Sequence, residues 1–350
     1  GGRSAAELGR VLAFIARHHS QVAVRDIFGE WPIVPATDEC AYTIVAPADG
    51  MPPMLRLWDP ELSMTSRDLL SCLMRLGCKQ LHPVVREQHS QPEMIALHPC
   101  VHARAPVLSA ESVLKALCII AKPEIGAADA DMVQLKAKFS EQLSEAAPAE
   151  QHGLRDCLAA NHGLVGTSPP VCTQAPPLPR TWRPFESQTA SARTHSMCAV
   201  PAWTADSPEV RTMIRSLPIF QTEGLDENVF THIDLKANLR PPLEVSADIV
   251  AWVGNFLCNK TSVGGVRTIN TNLDELLNRL EVPKLEMSTF YLKQVLPRLP
   301  HLPNALRNRT MCEVVRKLAS ISIIDTDGPQ LKAALRAAAF VPSGISDSHL

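Results

Sequence analysis

Prolines set the grain of this chain. There are 29 of them in 350 residues, and they repeatedly close an apolar phrase: Trp31-Pro32-Ile33-Val34-Pro35, Leu217-Pro218-Ile219-Phe220 and Phe340-Val341-Pro342. Proline fixes its own φ, lacks an amide proton and turns the preceding residue away from helix. Apolar runs broken in this way can build only short helices and strands joined at rigid corners. Residues 211–344 read as a helical module flanked by two such corners.

Between the prolines, helical spacing recurs. Ser4 and Glu7 form a capping box ahead of Leu8, Val11, Leu12 and Ile15, and that helix should end near His18 and His19. Residues 66–76 carry Leu69, Leu70, Leu73 and Leu76 on one face, with Gly77 as the stop. Ser109 or Ser112 caps a helix with Val113, Leu114, Leu117 and Ile120. Asp129 opens another with Met132, Leu135, Phe139 and Leu143. In the second half, Ser246 precedes a wide apolar face from Ile249 to Trp252, Phe256 and Leu257. Thr271 and Asp274 form a capping box before Leu273, Leu276, Leu277 and Leu280. Ser288 and Asn304 cap two more helices, and Pro329 suits the first turn of a last one. Residues 42–45 and 54–58 are β-branched or large apolar and read as a small antiparallel pair. Residues 98–102 read as a short extended piece. The expected fold class is mainly α (α+β), with short amphipathic helices in two modules and a small antiparallel β element in the first.

Residues 147–208 are rich in Pro, Ala, Ser, Thr and Gly and lose apolar periodicity. They are expected to be a disordered linker or insertion between a module at 1–146 and one at 209–350. Pro176 and Pro179 within it make only a weak polyproline pattern. The halves echo each other. A shift of 204 lays Leu69, Leu73, Arg75, Leu76 and Leu81 on Leu273, Leu277, Arg279, Leu280 and Leu285. A shift of 201 lays the helix at Val113 on Val314 and Val315. In the first register Gly77 becomes Glu281, so the helix stop is not copied.

Composition excludes some functions. A net charge of −2 and 5% aromatics argue against a phosphate-neutralising or base-stacking surface, and so against nucleic acid as a partner. No apolar run is long enough to span a bilayer. The ten cysteines show no paired spacing and read as reduced core thiols. Among candidate sites, His98, Cys100 and His102 alternate and would share a face if extended, a possible zinc set. Asp325, Asp327 and Gly328 suggest a calcium loop but lack its closing Glu, and a helix cap explains them better. Between residues 279 and 317 eight Lys and Arg face three Glu, which solvated helix faces explain equally well. No nucleophile elbow or nucleotide motif is present. The expectation is a chain with no catalytic, cofactor-binding or metal residue of its own.

The phrases fall in a recognisable order. Leu217-Pro218-Ile219-Phe220-Gln221-Thr222, a leucine-rich helix, Phe290-Tyr291 leading to Val295-Leu296-Pro297, and then Phe340-Val341-Pro342 resemble sacsin repeats. Trp31 to Pro35, Leu73 to Cys78 and the helix at 113–120 resemble the same family's repeat region. The resemblance covers most of the chain outside the Pro-rich segment. It implies a piece of a very large cytoplasmic protein acting in folding and quality control. The partners it implies are heat-shock chaperones or unfolded clients, engaged by a non-catalytic scaffold. The family's ATPase lobe and J domain have no counterpart here: His82-Pro83-Val84 and His98-Pro99-Cys100 lack the aspartate a J domain needs. A rival expectation is a generic helical adaptor of solenoid type, with no β element in the first half. A third is a thiol or metal enzyme around His98.

Overall fold

A computed structural model describes residues 4–44, 51–56, 64–87, 98–121, 128–160, 208–223, 229–242, 245–254, 256–258, 260–263, 266–324 and 326–337. The described chain is mainly helical, with small sheets. It opens with α1 (Ala5–His18), held by the expected capping box: Ser4 Oγ accepts from the Glu7 amide while Glu7 accepts from the Ser4 amide. There follow α2 (Gln21–Phe28), β1 (Pro32–Pro35), β2 (Ala41–Thr43), β3 (Met54–Leu55), α3 (Met64–Arg75), β4 (Lys79–Gln80), α4 (Val84–Glu87), α5 (Pro99–Arg104), α6 (Ala110–Ala121), α7 (Ala128–Gln142) and α8 (Pro148–Ala160). The second half holds α9 (Pro208–Ser216), β5 (Phe220–Gln221), β6 (Phe230–Thr231), α10 (Ala247–Val253), the hairpin β7 (Lys260–Val263) and β8 (Val266–Ile269), and α11 (Thr271–Arg279). It continues with α12 (Met287–Phe290), a π turn (Tyr291–Val295), a 3-10 turn (Leu296–His301), α13 (Asn304–Ile324) and α14 (Gly328–Ala337).

The two halves carry the same small sheet. In the first, β1 pairs antiparallel with β2 and, on its other side, with the chain at 80–82. That strand pairs in parallel with β3, and Arg56 pairs in parallel with Val107. Numbered along the chain, the strands lie side by side in the order 2-1-4-3-5. In the second half β6, β5, 256–258, 239–240 and 283–285 lie in the same order with the same senses. Five connecting hydrogen bonds of each half correspond. Thr37 N–H to Gln80 O (3.0 Å) and His82 N–H to Pro35 O (2.9 Å) match Glu223 to Phe256 (2.7 Å) and Cys258 to Gln221 (2.8 Å). Leu81 to Leu55 (2.8 Å) matches Leu257 to Leu239 (3.0 Å). Arg56 to Pro106 (3.0 Å) and Leu108 to Arg56 (2.9 Å) match Arg240 to Pro283 (2.8 Å) and Leu285 to Arg240 (3.1 Å).

The proline corners are copied too. Ile33 N–H donates to Trp31 O across Pro32 at 2.9 Å, and Ile219 N–H donates to Leu217 O across Pro218 at 2.9 Å. In each half the amide just before the proline donates back into the preceding helix, Trp31 to Phe28 O and Leu217 to Ile214 O. The proline removes a donor where the chain leaves the helix and directs the following residues into the first strand.

Several expectations are corrected. Residues 42–44 and 54–56 do not pair with each other: β2 joins β1, and β3 joins β4 in parallel; residues 45, 57 and 58 of the expected pair lie outside the described ones. Apolar content marks a strand but carries no information on its partner. Residues 98–102 belong to helix α5, with His98 as N-cap and Pro99 in the first turn. The helix expected through Phe256 and Leu257 ends at Val253, because Gly254 takes φ +74° and turns residues 256–258 into the sheet. Asn270 rather than Thr271 caps α11, and Glu286 rather than Ser288 precedes α12. The Pro-rich segment expected to begin at 147 opens with α8, a largely buried helix. Its last residue, Pro208, opens α9; residues 161–207, Pro176 and Pro179 included, lie outside the described ones, as do Phe340, Val341 and Pro342.

The register of the echo is corrected as well. The sheets align Leu55-Arg56 with Leu239-Arg240 and Pro106 and Leu108 with Pro283 and Leu285, not Leu81 with Leu285. The shift of 204 instead superposes two helix stops. At α3, Cys78 N–H reaches Leu73 O (2.9 Å) and Gly77 N–H reaches Met74 O (3.0 Å); at α11, Val282 reaches Leu277 (3.0 Å) and Glu281 reaches Asn278 (2.9 Å). Both are Schellman closures. Glu281 holds a left-handed φ of 59° where α3 has Gly77 at 104°, but in the sheet register α3 corresponds to α10, whose stop is Gly254 at φ 74°.

Three buried clusters run through the molecule. One lies under α1, α2 and β1, around Leu12, Ile15 and Val34. One lies between α10, α12, the π turn and α14, around Ile249, Phe290 and Leu331. The central one is shared: Leu73, Val113, Leu117 and Phe139 of the first half pack with Met213, Phe220, Leu257 and Leu277 of the second. The two modules therefore do not have separate cores.

Candidate functional site

The residues singled out as possible ligands do not converge. On a helix, positions two apart point to opposite sides, so α5 turns Cys100 away from His98 and His102, which lie four apart. His98 Nδ1 accepts the Cys100 amide at 3.2 Å, which keeps this imidazole in a neutral, capping role. Burial holds its pKa below the usual value, and a contact with the His19 backbone opposes that only in part. His102 is paired with Arg56. Among the described residues no group of three His, Cys, Asp or Glu could hold a metal ion. Asp327 precedes α14: its carbonyl accepts from Leu331, while its carboxylate accepts from Thr289 Oγ1 at 2.8 Å and Lys293 Nζ at 3.4 Å. Asp325 lies outside the described residues.

The basic stretch is largely committed within the fold. Arg279 faces Glu275, Arg309 pairs with Asp248, Lys317 lies 4.0 Å from Glu313, and buried Arg307 donates to Leu302 O at 3.0 Å. Burial pushes the Cys72, Cys78 and Cys118 thiols up to about 12. Thiols held protonated in this way are poor nucleophiles.

What the structure does assemble went unnoticed in the sequence. The first assembly is a pair of buried arginines at matching strand positions. Arg240 donates to Val282 O (3.0 Å), to the carbonyl and carboxylate of Asp274 (3.2 and 3.3 Å) and to Asn278 Oδ1 (2.7 Å). It thereby ties the sheet to the end of α11. Arg56 makes the same crossing to His102 on α5. Beside it Arg104, also buried, donates to Thr43 O (3.3 Å) and Pro52 O (3.1 Å). A guanidinium offers several fixed donors, which suits the uncapped carbonyls of a helix end.

The second assembly is α8, which clasps both halves. Toward the first, Glu150 accepts from Ser71 Oγ and from Arg75 Nε, the latter at 2.8 Å. Toward the second, Gln151 Nε2 donates to Pro218 O at 3.2 Å and Arg155 to Gln221 Oε1 at 3.0 Å. The second pair holds the Leu-Pro-Ile-Phe corner by its backbone and first strand. Between these polar groups Leu154 and Leu158 enter the shared core. The available signal was Pro148 at a helix start followed by Leu154 and Leu158 four apart. The surrounding Ala and Gly masked it.

The third is an exposed apolar face on α1, α2 and the first corner. Phe14, Val22, Ile27 and Trp31 are 55%, 69%, 51% and 50% accessible. Ring contacts link the face: Phe14 to His18 at 4.6 Å between centroids, His19 to Phe28 at 5.3 Å, and Phe28 edge-on to Trp31 at 5.6 Å. Exposed apolar residues gathered on neighbouring elements mark an interaction site more often than scattered single ones do.

Comparison of the chain with protein-family models, with curated proteins and with solved structures finds no match. Among the described residues no helix is long and apolar enough to cross a membrane.

Proposed function

We propose that the chain is a non-catalytic scaffold segment of a sacsin-like chaperone or co-chaperone, acting by binding other proteins in the cytoplasm. The observation that carries this reading is the duplicated sheet. The Trp31-Pro32-Ile33 and Leu217-Pro218-Ile219 phrases, on which the resemblance rests, occupy the same corner of the same five-stranded pattern in both halves. The exposed aromatic face supports it further, because unfolded clients and helper chaperones offer apolar surface that such a face can cover. The solenoid reading required a first half without strands; β1, β2 and β3 count against it.

The test is light scattering from a thermally unfolding client protein with the chain added, alongside phosphate release from magnesium–ATP. Suppressed scattering at equimolar chain, with no saturable phosphate release, is the expected result. Scattering unchanged at about tenfold excess removes the chaperone role, since micromolar chain in excess fills a micromolar site. Saturable, magnesium-dependent hydrolysis removes the non-catalytic one.

A further inference from the structure

The internal duplication shows what normally covers the face that α2 leaves open. The sheets place Val24, Ile27, Phe28 and Trp31 in correspondence with Val210, Met213, Ile214 and Leu217, and Val24-Arg25 and Pro32-Ile33 recur as Val210-Arg211 and Pro218-Ile219. Met213 and Leu217 are fully buried, whereas Ile27 and Trp31 are 51% and 50% accessible. The difference is their neighbours. Helices α6 and α7, which follow the fifth strand of the first sheet, pack on α9 and enclose Met213 and Leu217 with Leu117, Leu135 and Phe139. Among the described residues no helix pair stands in that place on α2.

The second sheet is also followed by helices. After residues 283–285 come α12, the π and 3-10 turns, and α13. In α7's place in that order α13 exposes Cys312 and Val315 (61%), three apart and so on one face. Exposed charges lie near both faces: Arg25 and Asp26 on α2, Glu30 just after it, and Arg316 beside Val315. The molecule thus carries at one end an uncovered α2 face and at the other a helix in the position that covers such a face. We propose that the Ile27–Trp31 face is the docking surface for α13 of a second copy of this chain, head to tail. Such a contact uses different patches on the two partners, so it extends into rings or open chains rather than closing on a dimer. It is independent of the chaperone reading.

Sedimentation velocity on the full chain over about 1–100 μM, a range that resolves micromolar association, tests it. The sedimentation coefficient is expected to climb with concentration past that of a dimer. Trp31→Glu and Val315→Glu, both at exposed positions, should each leave a monomer, with association weakened at least about tenfold by a buried charge. An equimolar mixture of the two variants should form a one-to-one dimer and nothing larger, because each supplies the patch the other has lost. Ile27→Glu serves in place of Trp31→Glu if circular dichroism shows that the latter is misfolded. Wild-type chain that stays monomeric throughout, association that survives either substitution, or a mixture that stays monomeric would each overturn the proposal.

Discussion

Removing Leu154 should weaken both halves at once. Leu154 is fully buried on α8, in a cluster containing Leu73 and Val113 from the first half and Phe220, Leu257 and Leu277 from the second. Leu154→Ala deletes three carbons, worth about 2.4 kcal/mol in transfer at roughly 0.8 kcal/mol each. The site is walled by secondary structure on both sides, so part of the cavity should persist and raise the cost toward about 4 kcal/mol. With a urea dependence of about 3 kcal/mol/M for a chain of this size, the midpoint falls by about 1 M. Urea unfolding gives the total, and native-state hydrogen exchange gives its distribution. Amides of β4 and of residues 256–258 should lose protection by the same free energy, in one transition. If only one half loses protection, or if two transitions appear, the halves have independent cores and the role assigned to α8 is wrong.

Two further perturbations address the helix stops and a buried imidazole. Gly77→Ala meets no atom within 4 Å, so its cost is backbone strain alone at φ +104°, about 1–2 kcal/mol by urea melts. Glu281→Gly should stay within about 0.5 kcal/mol of wild type, because relief at φ +59° is offset by a looser unfolded chain and loss of the exposed pair with Arg211. For His98, burial lowers the folded pKa below the ordinary 6.5. The unfolded chain therefore takes up the proton first. The stability of the neutral form is complete above pH 6.5 and is lost as pH falls through the folded value. His98→Asn keeps a capping side chain and should flatten the fall in urea midpoint between pH 7 and 5. His232, shifted the same way by burial and Lys136, should retain part of it.

Helices were the legible part of the sequence because their signal is local. Ser4 with Glu7, Gly77 after Leu76, and Leu69 with Leu73 each lie within one or two turns, and each is found where the spacing puts it. Strand partnership was not legible, since β3 selects β4 across α3 and a two-residue strand has no period to read. The repeat was visible but misregistered. Leucines at helical spacing match anywhere, while the informative pairs, Pro-Ile, Leu-Arg and Pro-x-Leu, are short and separated by connections of unequal length. At residue 98 an alternating pattern was taken for a strand, where His98 and Pro99 together make a helix start. The open α2 face could not be found from composition, because Ile27 and Trp31 differ from buried residues only in their neighbours.

The position of α8 along the polypeptide governs the order in which the molecule can be finished. Its carboxylate reaches back 75 residues to Arg75, whereas its amide and guanidinium reach forward 67 and 66 residues to Pro218 and Gln221. At a ribosomal rate of about 5–20 residues per second, the forward partners emerge about 3–13 s after the helix itself. During that interval α8 can already pack on α3, but the sides of α6, α7 and α8 that later meet α9 and α11 lack their cover. The newborn chain thus exposes apolar surface for some seconds, and slow codons between residues 160 and 218 would lengthen its exposure to aggregation.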